Sequence, residues 1–349
     1  MPTRAQHMLG QVEQKDATYW PAKLVEAGIL LAAHNDQEAG AALNEVLDLN
    51  PNEPTARLMA VSRCIEEYQF EQASRLLDQL KERTDTAEVT AYEGRLLLKE
   101  RMPEKALAPL LEAVRRDPDL AEAHGWLAGA YALLNQPEKM REQLQVVQLG
   151  GAAEHGGPHP VALYEAADVL RDARQYPEAE KLYQQADRTA AWWAEPEAAL
   201  AQLYLETGDE QKARVAYDKS FAIDPYNLRA YNQMQLLDTL MKFSVKESKM
   251  RLFPGSDQPA FIIRYDPKDE ILADMAVGWL EKVRPEVMAY YHVSRLAVPT
   301  QIEMFPNHDE FGVRTTGLPW IGTVGACTGN VIAMDVPRGG GASEMGPFD

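Results

Sequence analysis

Small apolar residues recur along this chain at a nearly constant interval. Ala39, Ala73, Ala106, Met140, Ala179 and Ala213 are separated by 34, 33, 34, 39 and 34 residues. Four residues after each stands a large apolar side chain: Leu43, Leu77, Leu110, Leu144, Tyr183 and Tyr217. Three further on come Val46, Leu80, Ala113, Val147, Ala186 and Ser220. Offsets of four and seven put these positions on one helical face. A second helix precedes each, marked by a small residue with a partner three later: Ala27/Leu30, Val61/Cys64, Gly94/Leu97, Ala128/Tyr131, Ala167/Leu170 and Ala201/Tyr204. Polar or breaking residues separate the helices, as in HND at 34–36 and TGD at 207–209. Asn50-Pro51, Asp117-Pro118 and Asp224-Pro225 close three of the units, because proline lacks the amide donor and disfavours helix at the residue before it.

This pattern resembles the tetratricopeptide repeat, with small residues where paired helices touch and a closing proline. Six repeats follow: 20–53, 54–86, 87–120, 121–154, 160–193 and 194–227. The resemblance implies an α-solenoid whose first helices line a concave groove for a protein or peptide ligand. Arg95, Tyr164, Asp168, Arg171 and Gln202 are the candidate groove residues; the plainer reading is solvated helix surface. The lysine and asparagine clamp by which chaperone-tail-binding members hold a terminal carboxylate does not line up here. The glycine-rich loop at 150–160, with His155 and His159, breaks the phase and is read as surface rather than as a metal site.

Residues 1–19 read as the second helix of a partial repeat, since Ala5, Leu9 and Val12 lie one period before Ala39, Leu43 and Val46. Both ends of the chain therefore look cut. Residues 228–250 read as a terminal helix and 251–259 as a linker. Then the pattern changes. AFIIRYD at 260–266 and TQIEMFP at 300–306 read as strands. Between them Ile271, Leu272, Met275, Ala276, Trp279, Leu280 and Val283 mark one face of a long helix, which Pro285 is expected to kink or split. HDEFGVRT reads as a short helix or turn. Residues 320–336 read as a hairpin turning at Gly329-Asn330, with Val331–Val336 as its outer strand.

This order resembles the N-terminal part of a thermolysin-like zinc metallopeptidase (peptidase MA-like) domain, over 260–349. The resemblance implies a substrate-binding edge strand at Ile332, Ala333 and Met334. It also implies a following helix bearing H-E-x-x-H, whose histidines bind zinc and whose glutamate activates the metal-bound water. No histidine here is followed by that motif. The expectation is therefore no cofactor in this chain, with Zn2+ left to a longer parent protein. His308 with Asp309 and Glu310 is a weaker metal candidate, because adjacent residues do not share a helix face. His292 is read as packing or surface. The exposed strand edge makes self-association an expected property.

Composition narrows this further. The 349 residues carry a net charge of −18 and no basic stripe, which argues against nucleic acid. No run approaches a membrane span, and the N-terminus has no signal-peptide core. Two distant cysteines, Cys64 and Cys327, give no disulfide framework or zinc cluster. Neither G-x-S-x-G nor a phosphate-binding loop occurs, and the GGG at 339–341 reads as a loop. The expected fold is mainly α: a solenoid of about six helix pairs followed by a small, incomplete α+β lobe. Three functions stay open: a binding module, the front part of a zinc peptidase that is not catalytic as given, and a non-catalytic scaffold with a degenerate lobe. The compartment stays open as well.

Overall fold

A computed structural model describes residues 2–146, 158–319 and 323–336, the side chains of 2–6 and 13 excepted. The first part is a run of antiparallel helices: α1 (Pro2–Lys15), α2 (Trp20–Ala32), α3 (Asp36–Leu49), α4 (Pro54–Glu66), α5 (Phe70–Lys81), α6 (Ala87–Lys99), α7 (Pro103–Arg116), α8 (Ala121–Leu133), α9 (Pro137–Val146), α10 (Pro160–Asp172), α11 (Tyr176–Thr189), α12 (Glu195–Thr207), α13 (Glu210–Ile223) and α14 (Leu228–Leu240). The alanines that set the period, Ala39, Ala73, Ala106, Ala179 and Ala213, have no exposed surface. Leu43, Leu77, Leu110, Tyr183 and Tyr217 are buried beside them. Helix starts have local causes. Thr86 caps α6 through Val89 N, and Pro54, Pro103 and Pro160 open α4, α7 and α10.

The turn inside each helix pair has one backbone form. His34, Tyr68, Arg101, Asn135, Arg174 and Gly208 all have positive φ, between 53° and 82°. The amide after each reaches back to the helix it leaves: Asn35 N to Leu30 O, Met102 N to Leu97 O, Gln175 N to Leu170 O, at 2.8–2.9 Å. These are Schellman turns, which satisfy the last carbonyls of a helix. They recur with the spacing of the alanines.

The chain divides into two compact units, Met1–Leu200 with Lys219–Leu228, and Ala201–Asp218 with Arg229–Asp349. The division falls inside the sixth repeat rather than at 251–259. In the first unit, His34 Nε2 lies 3.1 Å from Glu195 Oε2, and Leu228 N donates to Ala33 O at 3.0 Å. The first repeat thus meets residues of the sixth.

The second unit carries β1 (Ser244–Glu247), β2 (Phe261–Tyr265), a 3-10 turn at Pro267–Asp269, α15 (Glu270–Tyr290), β3 (Thr300–Phe305), α16 (His308–Thr316), β4 (Gly325–Thr328) and β5 (Val331–Asp335). The sheet order is β1-β2-β3-β5-β4, with β2, β3 and β5 parallel and both outer strands antiparallel. Phe261, Ile263, Ile302 and Met304 form a core with Leu272, Ala273, Ala276 and Leu280 of α15. Arg314, fully buried, donates from Nε to Glu303 at 2.6 Å and from Nη2 to Leu205 O at 2.8 Å. That pair ties α16 to β3 and to the C-terminal end of α12, where the Leu205 carbonyl accepts from Gly208 N as well as from Arg314. Among the described residues no helix is long and apolar enough to cross a membrane.

Several expectations change. The terminal helix ends at Leu240, and 244–247 is a strand that the polar composition concealed. Residues 251–259 are no linker: Leu252 is buried, Ala260 N bonds Met250 O, and Arg284 holds Leu252 O at 2.7 Å. Helix α15 runs unbroken through Pro285. Its apolar face splits into two stripes. Leu272, Ala276 and Leu280 meet the sheet, whereas Ile271, Met275 and Trp279 stay 77%, 66% and 63% exposed. Most importantly, β5 is not an edge. Ile332, Ala333 and Met334 pair with Ile302, Glu303 and Met304 on one side and with Cys327, Ala326 and Gly325 on the other. Their backbone groups already have sheet partners, so neither peptide addition nor self-association can use them. The hairpin folds its first strand to the outside. The loop around His155 and the glycines at 339–341 lie outside the described residues.

Candidate functional site

The first helices of successive repeats set three inward positions, at 14, 11 and 7 residues before the central small residue. The first gives Tyr92, Trp126 and Glu165; the second Ser62, Arg95 and Asp168; the third Glu66, Lys99 and Asp172. These spacings of three and four keep the three positions of each helix on one face. Helices α8 and α10 come close because α8 carries Gly125 and Gly129. A Cβ at Gly125 would stand 2.6 Å from Ala162 O, and one at Gly129 2.6 Å from Val169 Cβ. Only glycine permits that approach.

The approach brings Trp126 Nε1 within 2.6 Å of Glu165 Oε2. Arg95 lies over the Tyr92 and Trp126 rings, 5.4 and 5.3 Å from their centroids, while donating to Ser62 Oγ at 2.8 Å and Glu66 Oε1 at 2.6 Å. Lys99 Nζ reaches Asp172 at 2.7 Å and Glu66 at 3.6 Å. Asp168 accepts from the Tyr183 hydroxyl and lies 3.5 Å from Arg171. Tyr164 packs its ring against Tyr183 and Trp193, with centroids 5.6 and 5.1 Å away. A recess opens among Arg95, Leu98, Lys99, Trp126, Glu165, Asp168, Val169 and Asp172.

The electrostatics are uneven. Burial alone would raise Glu66 and Asp168, but Lys99 and Arg95 beside the one, and Arg171 and Lys99 beside the other, hold both below the ordinary carboxylate range. Burial would depress Arg95 and Lys99, yet the Glu66 carboxylate, joined at Lys99 by Asp172, holds both above their usual values. Glu165 differs. Burial pushes its carboxyl up to about 7; Arg95 and the Trp126 indole oppose this, and Asp168 and Glu122 add to it.

The structure brings together four of the five candidate groove residues, Arg95, Tyr164, Asp168 and Arg171. Gln202 belongs to the second unit, where its amide bonds Tyr217 and Glu206. Sequence reasoning missed Glu66, Lys99, Trp126, Glu165 and Asp172. The signal was present: reading charges in repeat phase places Glu66, Lys99 and Asp172 at one position. The histidine candidates have other partners. His159 Nδ1 accepts from Val161 N and caps α10. His308 Nδ1 lies 3.0 Å from Asp335 Oδ2, and Asn307 caps the helix that carries Asp309 and Glu310. Among the described residues no three His, Cys, Asp or Glu side chains are grouped to hold a metal.

Residues 198–227 match the tetratricopeptide repeat model; they lie within 194–227, read from the period as the sixth repeat. Comparison with curated proteins finds no match. Solved structures similar to this chain include one from the APC/C hetero-tetramer Cut9-Hcn1, at 12% identity and TM-score 0.43, over 67% of this chain and 46% of that one. YrrB, a TPR protein with an unusual peptide-binding site, matches at 14% identity and TM-score 0.31, over 65% of this chain and 97% of its own. The pilF protein of Pseudomonas aeruginosa matches at 19% identity and TM-score 0.36, over 64% and 98%. The described residues comprise successive helix pairs, one stretch of which matches the tetratricopeptide repeat, and a small sheet-bearing lobe.

Proposed function

We infer that this chain is a protein- or peptide-binding scaffold, and that the ligand is held by the inward helices of the first unit. The observation that carries this reading is the convergence of Tyr92, Arg95, Trp126, Tyr164 and Trp193 with a charged network on α4, α6, α8 and α10. Amphipathic aromatics and arginine supply most of the binding energy in protein interfaces. The direct test is selection of peptides from a random display library against the intact chain. The expected outcome is a set of binders that compete with one another and lose affinity on Tyr164→Ala. Binders indifferent to that change would count against the groove.

For the second unit, the reading is a peptidase-like lobe in a scaffold role. Its support is the element order: parallel strands β2 and β3 joined through α15, followed by the β4–β5 hairpin. A zinc-dependent reaction would need ligands from a longer parent protein. Elemental analysis of the purified chain finding one tightly held zinc per molecule would overturn the scaffold role.

A further inference from the structure

The recess between α6, α8 and α10 has one unmatched group. Arg95 and Lys99 are engaged by Glu66 and Asp172, and Arg171 lies beside Asp168. Glu165 accepts a hydrogen bond from a neutral indole and, among the described residues, makes no ion pair. The groups facing it are Arg95 from α6, Glu122 and Trp126 from α8, and Asp168 on its own helix. Helix α11 brings Tyr183, whose hydroxyl is engaged by Asp168. An incoming carboxylate would meet cations that already have partners. An incoming cation would meet a carboxyl whose hydrogen-bond donor is a neutral indole.

Size and lining refine the ligand. The recess encloses a volume of about 10 Å³, room for one water-sized group. A primary ammonium is a compact point charge of that size, and a planar guanidinium is not. Leu98 and Val169 line the same recess and offer apolar surface to the methylene stem of a long cationic side chain. The net charge of −18 favours approach of a cationic partner.

We propose that this recess is a lysine-reading subsite of the peptide groove, in which the ammonium is held by Glu165 and displaces its proton to solvent. The proposal rests on the groove reading above. It gives that reading a linkage: ligand binding requires ionised Glu165, so affinity rises with pH until that carboxyl is ionised in the free protein, and levels off beyond.

The test uses the intact chain and capped 15-residue peptides in an alanine, serine and glutamine background. The central residue is lysine, arginine, norleucine or aspartate, and the Trp126 indole signal is followed by NMR. The lysine peptide is expected to shift that signal saturably, at least about fivefold tighter than norleucine. Its affinity should be about tenfold higher at about pH 8 than at about pH 6, as a carboxyl titrating near 7 requires. Glu165→Gln should flatten that pH profile. The wild-type profile keeps the test valid should the variant fold poorly. Equal binding of norleucine, or a flat wild-type profile, overturns the proposal. If library-selected peptides move the Trp126 signal and the lysine peptide does not, the subsite falls and the groove stands. If neither moves it, both fall.

Discussion

Lys99 Nζ stands 2.7 Å from Asp172 Oδ2, joining α6 to α10. The two residues hold the same position in repeats three and five, seven before Ala106 and Ala179, with opposite charges. Both are largely removed from solvent, at 13% and 19% side-chain exposure. Removing one partner strands a carboxylate in a poorly solvated groove. Lys99→Met is expected to cost about 2–3 kcal/mol by urea denaturation, less than a fully buried pair would. Lys99→Met with Asp172→Leu should recover about 1–2 kcal/mol relative to the sum of the singles. Strict additivity would show that the pair is not coupled.

Glu165 should lower stability where it is charged. An unfolded glutamate releases its proton near ~4.3, whereas the folded carboxyl keeps it to about 7. Between those values the folded state binds the extra proton, so stability falls as pH rises through that window. Glu165→Gln removes the penalty. Thermal melts should show the variant about 1–2 kcal/mol more stable than wild type at about pH 8, with the difference shrinking towards pH 5; the half-buried setting keeps it below the full linkage value. No gain at the higher pH would contradict the burial argument. A residue that costs stability in the free protein is expected where binding uses it.

The two glycines of α8 test the geometry of the groove. Alanine at a helix interior normally gains about 1 kcal/mol over glycine. At Gly125 the new Cβ meets a backbone oxygen that cannot rotate away. Gly125→Ala is therefore expected to cost about 2–3 kcal/mol and to separate Trp126 from Glu165. A neutral or stabilising result by calorimetry would mean that α8 and α10 are not so closely packed.

Arg101 tests the repeated turn. Its φ of 63° is unfavourable for a side chain with a Cβ, and the residue is exposed. Arg101→Gly is expected to stabilise the chain by about 0.5–1 kcal/mol despite the entropy glycine adds to the unfolded state. Arg101→Val should destabilise it. The reverse order in denaturant midpoints would contradict the Schellman geometry.

What could be read from the sequence was whatever repeats. The alanines, the large residues four later and the helix pairs all announce themselves through period and burial. The turn conformation did not, because five of its six positions carry a residue other than glycine, His34, Tyr68, Arg101, Asn135 and Arg174, and of these Tyr68, Arg101 and Arg174 have no preference for positive φ. The groove was half legible: Arg95 and Asp168 lie in phase with each other, but Lys99 and Asp172 are equivalent only if charge is read through the period rather than through apolar spacing. The lobe was least legible. Strand β1 is Ser-Val-Lys-Glu, polar enough to pass for a fraying helix end. Strand β5 has the composition of either strand of a hairpin, and its inner position follows from parallel pairing with β3, a contact that sequence pattern does not encode. The Arg314–Glu303 pair was invisible for the same reason, since its partners converge from three elements.

The central claim is that ligand enters the inward face of the first unit. The chain has six tryptophans, so it offers six indole NMR signals. Trp126 and Trp193 lie in the groove cluster, and Trp279 is exposed on α15 of the second unit. Titration with a display-selected peptide is expected to move the Trp126 and Trp193 signals and leave Trp279 unchanged. Movement of Trp279 with Trp126 and Trp193 unchanged would place binding on the lobe and contradict the account.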